Sequence, residues 1–71
     1  MIKATDIDKI ANDSLRLKQW EISNLDSYTL LELVMNVERY YDIIFEAEEL
    51  EGLKSKNDLA ALVNEKLQKQ K

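Results

Sequence analysis

Asp26 and Ser27 stand together at the head of a stretch, 28–41, that contains no helix breaker, and this position offers chemistry that neither residue type offers alone. Either side chain can cap a helix by accepting a bond from a free backbone N–H. A hydroxyl at such an end also points to solvent where open N–H groups and the positive end of the helix dipole favour an anion. A phosphodiester formed on Ser27 would be stabilised there. Plain capping is the alternative reading of the same residue. Hydrolysis by a serine nucleophile is disfavoured, because the chain has no His and the usual general base is missing. No other grouping of residue types assembles a catalytic constellation, so no enzyme activity and no catalytic residue are expected.

Two further clusters invite chemistry. Glu46, Glu48, Glu49 and Glu51 supply carboxylates, but the calcium-binding loops built from such residues need a defined spacing and a Gly at the turn, which this run lacks. A solvated acidic face is expected, with no metal site. Tyr40 and Tyr41 at a helix end are read as core and rim rather than as a ligand box.

The elements that position Ser27 follow from periodicity. With 71 residues, one Gly, no Pro and no Cys, the chain fits a single all-α domain spanning 1–71, stabilised by packing rather than by disulfides or zinc. Thr5 and Asp8 have the spacing of a capping box, so a first helix is expected to start there, with Ile7, Ile10, Ala11 and Leu15 on its apolar stripe. The period breaks over 18–26, where Ser23 and Asn24 supply turn chemistry and Trp20, Ile22 and Leu25 pin a loop to the core. A second helix should run from the Asp26–Ser27 pair to Tyr41. Residues 42–45 read as an extended buried connection, and 46–50 as one helical turn before Gly52. Ser55 and Asp58 repeat the capping-box spacing ahead of a last helix striped by Leu59, Leu62, Val63 and Leu67, and the tail 68–71 should fray. The fold expected is a small four-helix bundle, three longer helices and one short, cored by Ile7, Ile10, Leu15, Leu30, Leu33, Val37, Tyr41, Leu53, Leu59, Leu62 and Val63.

The second helix has more apolar residues than one buried stripe needs. Leu30, Leu33, Val34, Val37 and Tyr41 follow the core-facing spacing, while Tyr28, Leu31 and Met35 fall on another strip beside Glu32, Glu38 and Arg39. Either the helix is central and buried nearly all round, with loops over Tyr28 and Met35, or the strip is a docking surface. The net charge of -4 disfavours nucleic acid, whose phosphates would be repelled, and favours basic partners. No apolar run suggests a signal peptide or membrane span, so a cytoplasmic monomer is the default expectation.

Segment 25–35 reads LDSYTLLELVM, with Asp-Ser at a helix start and Glu-Leu-Val-Met shortly after. It resembles the modification motif of the acyl carrier protein family, the carriers of fatty-acid, polyketide and nonribosomal-peptide synthesis. Val37-Glu38, Tyr41-Asp42 and the entry to the last helix over 53–59 fall where that family has like residues. The resemblance implies an acyl-carrier-like bundle in which Ser27 receives 4′-phosphopantetheine from a phosphopantetheinyl transferase, with Asp26 helping to place magnesium during that loading alone. It also implies that Tyr28, Leu31, Glu32, Met35 and Glu38 form the surface met by an acyl- or aminoacyl-loading ligase and by downstream enzymes. The segment before Ser27 is shorter than is usual in the family. Asn24 replaces a common Gly, Arg39 a common acidic residue, and Tyr28 a common Leu. The aromatic residue at 28 is similar to D-alanyl and some aminoacyl carriers. An unmodified helical interaction module is the alternative from another class.

Overall fold

The computed structural model describes residues 1–69 and is all helical, a small bundle of three longer helices and one short one. Helix α1 spans Ala4–Leu15, a 3-10 turn covers Ile22–Asn24, α2 spans Ser27–Tyr41, α3 Ala47–Glu51 and α4 Lys56–Lys69. Helix α1 packs against both α2 and α4. Ile7, Leu33, Val37, Leu59 and Val63 are the largest fully buried side chains, one or two from each long helix. Gln70 and Lys71, the end of the tail expected to fray, lie outside the described residues.

The first helix starts earlier than the Thr5–Asp8 spacing suggests, because the segment before it is anchored from across the chain. The Ile2 N–H donates to Asn64 Oδ1 at 2.8 Å, and Asn64 Nδ2 donates to the Ile2 carbonyl at 2.8 Å. With Ile2 fixed on α4, Lys3 becomes the cap position, and its N–H donates to Asp6 Oδ2 at 2.8 Å. Asp8, released from capping, lies 2.8 Å from Lys56 Nζ, and that ammonium sits 4.6 Å from the centroid of the Trp20 ring. One cation therefore joins α1, the loop after it and the first turn of α4, through a charge pair and a cation–π contact.

Helix α1 ends in a left-handed cap, in which the Arg16 N–H bonds the Asn12 carbonyl at 3.0 Å. Arg16 adopts φ 58°, ψ 31°, and the Leu17 N–H bonds the Ala11 carbonyl at 3.3 Å. The loop beyond carries Trp20 and Ile22 into the core, as their apolar bulk predicts, while Leu25 packs against it half-buried. At the far end of the chain the Ser55–Asp58 box forms as its spacing predicts: the Asp58 N–H donates to Ser55 Oγ at 3.3 Å and the Ser55 N–H to Asp58 Oδ2 at 3.1 Å.

Several expected core residues are only half-buried. Leu15, Leu30, Tyr41, Leu53 and Leu62 pack against the core from its margin, whereas Trp20, Ile22, Val34, Ile43, Phe45, Ala11 and Ala60 are within it. In a domain this small the interior takes about one side chain per helical turn, and flanking positions remain at the surface. Loop side chains fill the rest.

Glu38 organises the exit from α2. Asp42 takes a left-handed conformation at φ 57°, the Ile43 N–H bonds the Glu38 carbonyl at 3.0 Å, and the Phe45 N–H donates to Glu38 Oε2 at 2.8 Å. Main-chain and side-chain oxygens of Glu38 thus direct an extended segment whose side chains alternate. Ile43 and Phe45 enter the core, and Ile44 points out. The connection expected to be buried is therefore buried only at alternate residues. It leads to α3, where the Glu46 N–H donates to Glu49 Oε1 at 2.7 Å and Lys66 of α4 pairs with the same oxygen at 2.7 Å.

Replacing Glu38 by Ala removes a charged acceptor from a half-buried N–H and should destabilise the fold by about 2 kcal/mol. Chemical denaturation of Glu38→Ala and Glu38→Gln measures it, with the amide variant expected to retain part of the loss because it can still accept.

Candidate functional site

The N-terminus of α2 shows how Asp26 and Ser27 share their work. Asp26 is extended at φ -74°, ψ 167°, and its Oδ1 accepts the Thr29 N–H at 3.0 Å. Its main-chain carbonyl accepts the Leu30 N–H at 3.0 Å, which closes the first turn. Asp26 is therefore the cap, and Ser27 is the first residue inside the helix. Bonds from the Thr29 hydroxyl and N–H hold the Asp26 carboxyl below the usual carboxylate range, so it is charged at neutral pH.

Ser27 is exposed, and its hydroxyl has no hydrogen-bond partner among the described residues. The capping role open to it in the sequence is thus filled by its neighbour. The hydroxyl stands beside the first N–H groups of α2, which have no partner within the helix. Next to it lies a recess of about 160 Å³ lined by Ser27, Leu30, Leu31, Val34, Leu50 and Leu53. Sites that enclose a whole small molecule usually measure ~300–1,000 Å³, so this is a shallow apolar notch between α2 and the α3 region. Leu50 and Leu53 enter it because the Glu49–Lys66 pair ties α3 to α4, a link that adjacent-residue patterns do not reveal.

The second strip of α2 faces solvent. Tyr28 is 70% exposed, Leu31 52% and Met35 41%, while Leu33, Val34 and Val37 are buried on the opposite side. Loops do not cover Tyr28 and Met35, which sets aside the arrangement in which α2 is buried all round. The Glu32 carboxylate, one turn beyond Tyr28, raises that phenol above its usual pKa through a hydrogen bond and its charge. Glu38, grouped with this strip by its position on the helix, is half-buried with Oε2 engaged by the Phe45 N–H, so part of its charge is directed inward. Its acceptor role depends on a loop whose path the helix pattern does not specify.

Among the described residues no helix is long and apolar enough to cross a membrane. Comparison with protein-family models, with curated proteins and with solved structures gives no match.

Since Asp26 carries the cap, Ser27→Ala should leave the stability of the fold unchanged, whereas Asp26→Ala should lower it measurably. The folded-state pKa of Asp26 is depressed, so its contribution is present above its unfolded pKa and fades as pH falls through the lower folded value. Denaturation of Asp26→Asn from neutral to strongly acidic pH should show less acid dependence than the parent chain. A larger stability loss in Ser27→Ala than in Asp26→Ala would reverse the assignment.

Proposed function

We propose that this chain is an acyl carrier protein, which holds acyl or aminoacyl intermediates as thioesters on 4′-phosphopantetheine attached to Ser27 and presents them to partner enzymes. The observation that carries the reading is the free, exposed hydroxyl at the first position of α2, with capping supplied by Asp26. A side chain needed to satisfy the helix end would lose that role on modification; Ser27 has none to lose. The motif over 25–35 and the exposed apolar strip beside it support the same reading.

In the loading reaction Ser27 Oγ forms a bond to the pantetheine-bearing phosphorus of coenzyme A and displaces adenosine 3′,5′-bisphosphate, the hydroxyl proton passing to a base of the transferase. The Asp26 carboxylate, charged and adjacent, supports placement of the magnesium ion used in that step. Once attached, the prosthetic group supplies a thiol that carries the cargo. The residues of this chain orient the arm, offer its phosphodiester the open N–H groups of α2, and present the apolar notch between Leu31 and Leu53 to the near end of the cargo. The chain itself catalyses nothing. A phosphopantetheinyl transferase, a loading ligase and downstream biosynthetic enzymes are its partners, in a cytoplasmic setting, with the monomer as carrier.

A carrier of D-alanyl or other aminoacyl cargo in a specialised pathway is favoured by one observation: the exposed Tyr28 phenol, set against Glu32 next to the attachment point, offers a polar and aromatic surface in place of a purely aliphatic one.

Incubation of the apo protein with coenzyme A, magnesium and a promiscuous phosphopantetheinyl transferase, followed by intact mass measurement, tests the proposal. The expected result is one added phosphopantetheine in the parent chain and none in Ser27→Ala. No gain would favour an unmodified interaction module, and a gain that persists in Ser27→Ala would overturn Ser27 as the attachment point.

A further inference from the structure

At the end of α2 away from Ser27, ~20 Å along the helix axis, α1 and α2 close around a cleft of about 320 Å³. That is twice the notch beside Ser27 and within the ~300–1,000 Å³ of pockets that take small molecules. Helix α1 lines it with Asp6, Lys9, Ile10 and Asp13, whose spacing puts them on one face, and with Ser14; α2 contributes its last two residues, Tyr40 and Tyr41. Tyr41 packs against the core half-buried, while Tyr40 is 69% exposed at the rim. A rim position does not call for an aromatic ring, since a polar side chain would serve the fold there as well.

The two rings meet edge to face, with centroids 4.8 Å apart and planes at 71°, so they form a corner rather than a stack. Aromatic faces attract cations, and a ring corner beside carboxylates is the arrangement that holds an alkylated ammonium group. Burial, the Asp6 charge and Tyr40 raise the Tyr41 phenol above its usual pKa, so it stays neutral and the Asp6 charge reaches it. Asp6 gives Oδ2 to the Lys3 N–H and leaves Oδ1 open, and Asp13 makes no ion pair or hydrogen bond among the described residues.

Lys9 stands between these carboxylates, exposed, and pairs with neither. Two carboxylates against one ammonium leave the lining with a net negative charge, and the ring faces act in the same direction. An anion drawn to Lys9 would meet both carboxylates and both rings. Arg39, next to Tyr40 in the chain, lines a different recess, beside Met35 and Ile44.

We infer that this cleft binds a small organic cation of the alkylated ammonium class, with its methyl groups in the Tyr40–Tyr41 corner, its charge balanced by Asp6 and Asp13, and Lys9 as the internal competitor. The site stands apart from Ser27 and from the exposed strip of α2, and it does not depend on their function.

Choline, its uncharged carbon isostere neohexanol and the anion tert-butylacetate share one bulky head and differ in charge. Each is titrated into isotope-labelled full chain and followed by amide and aromatic chemical shifts. Choline should move the signals of Lys9, Ile10, Tyr40 and Tyr41 and bind roughly fivefold more tightly than neohexanol, the scale of a cation–π contact at an exposed ring. The anion should not bind. Tyr40→Leu should remove most of the advantage of choline, and Lys9→Gln should tighten its binding. Asp13→Asn should weaken it; Asp13 is the better variant because Asp6 also serves the start of α1. All three variants should retain the parent's circular dichroism. Equal binding of neohexanol, binding of tert-butylacetate, or an affinity for choline unchanged in both Tyr40→Leu and Lys9→Gln would overturn the inference. So would shifts at acidic residues throughout the chain, which would mark choline as a diffuse counterion.

Discussion

The Asp26 carboxylate holds the Thr29 N–H, and the character of the candidate site depends on that bond. A helix end leaves several N–H groups open, and whichever side chain closes over them is committed to the fold. Here the commitment falls one residue before Ser27. The serine stands inside the helix with its hydroxyl free, next to donors that would welcome an anion. Burial of Leu33, Val34 and Val37 then sets the rotation of α2 and turns Tyr28, Leu31 and Met35 outward.

The other end of the same helix is governed by Glu38. Two of its oxygens, one main-chain and one side-chain, accept the N–H groups of Ile43 and Phe45 in the outgoing segment and set which of its side chains enter the core. Ile43 and Phe45 anchor the segment, and α3 follows, tied to α4 through Glu49 and Lys66. The apolar notch beside Ser27 depends on this path, because Leu50 and Leu53 form its far wall. Acidic residues thus organise both ends of α2, one as a cap and one as a clasp, while the residues that face outward do little to hold the fold.

Helical periodicity made the three long helices legible in the sequence, and the Ser55–Asp58 box marked the start of the last one, since both partners of such a motif lie within one turn. The first helix start was not legible in the same way. The Thr5–Asp8 spacing is a valid local signal, but Ile2 is fixed by Asn64, far along the chain, and that contact moves the cap to Lys3. Position on a helix face correctly separated Leu33 and Val37 from Leu31 and Met35. It could not distinguish buried from marginal among Leu30, Tyr41 and Leu62, because that depends on how far a small core extends. Nor could it choose the cap between Asp26 and Ser27, as both residue types serve and the choice turns on one residue of phase.

That choice is also the central claim, and the Thr29 amide reports on it directly. Its backbone chemical shift, followed by nuclear magnetic resonance from neutral to strongly acidic pH, should titrate with a midpoint below the ordinary Asp range and be unmoved by Ser27→Ala. A Thr29 amide that ignores the Asp26 titration, or that shifts strongly when the Ser27 hydroxyl is removed, would contradict it and return the serine to a structural role.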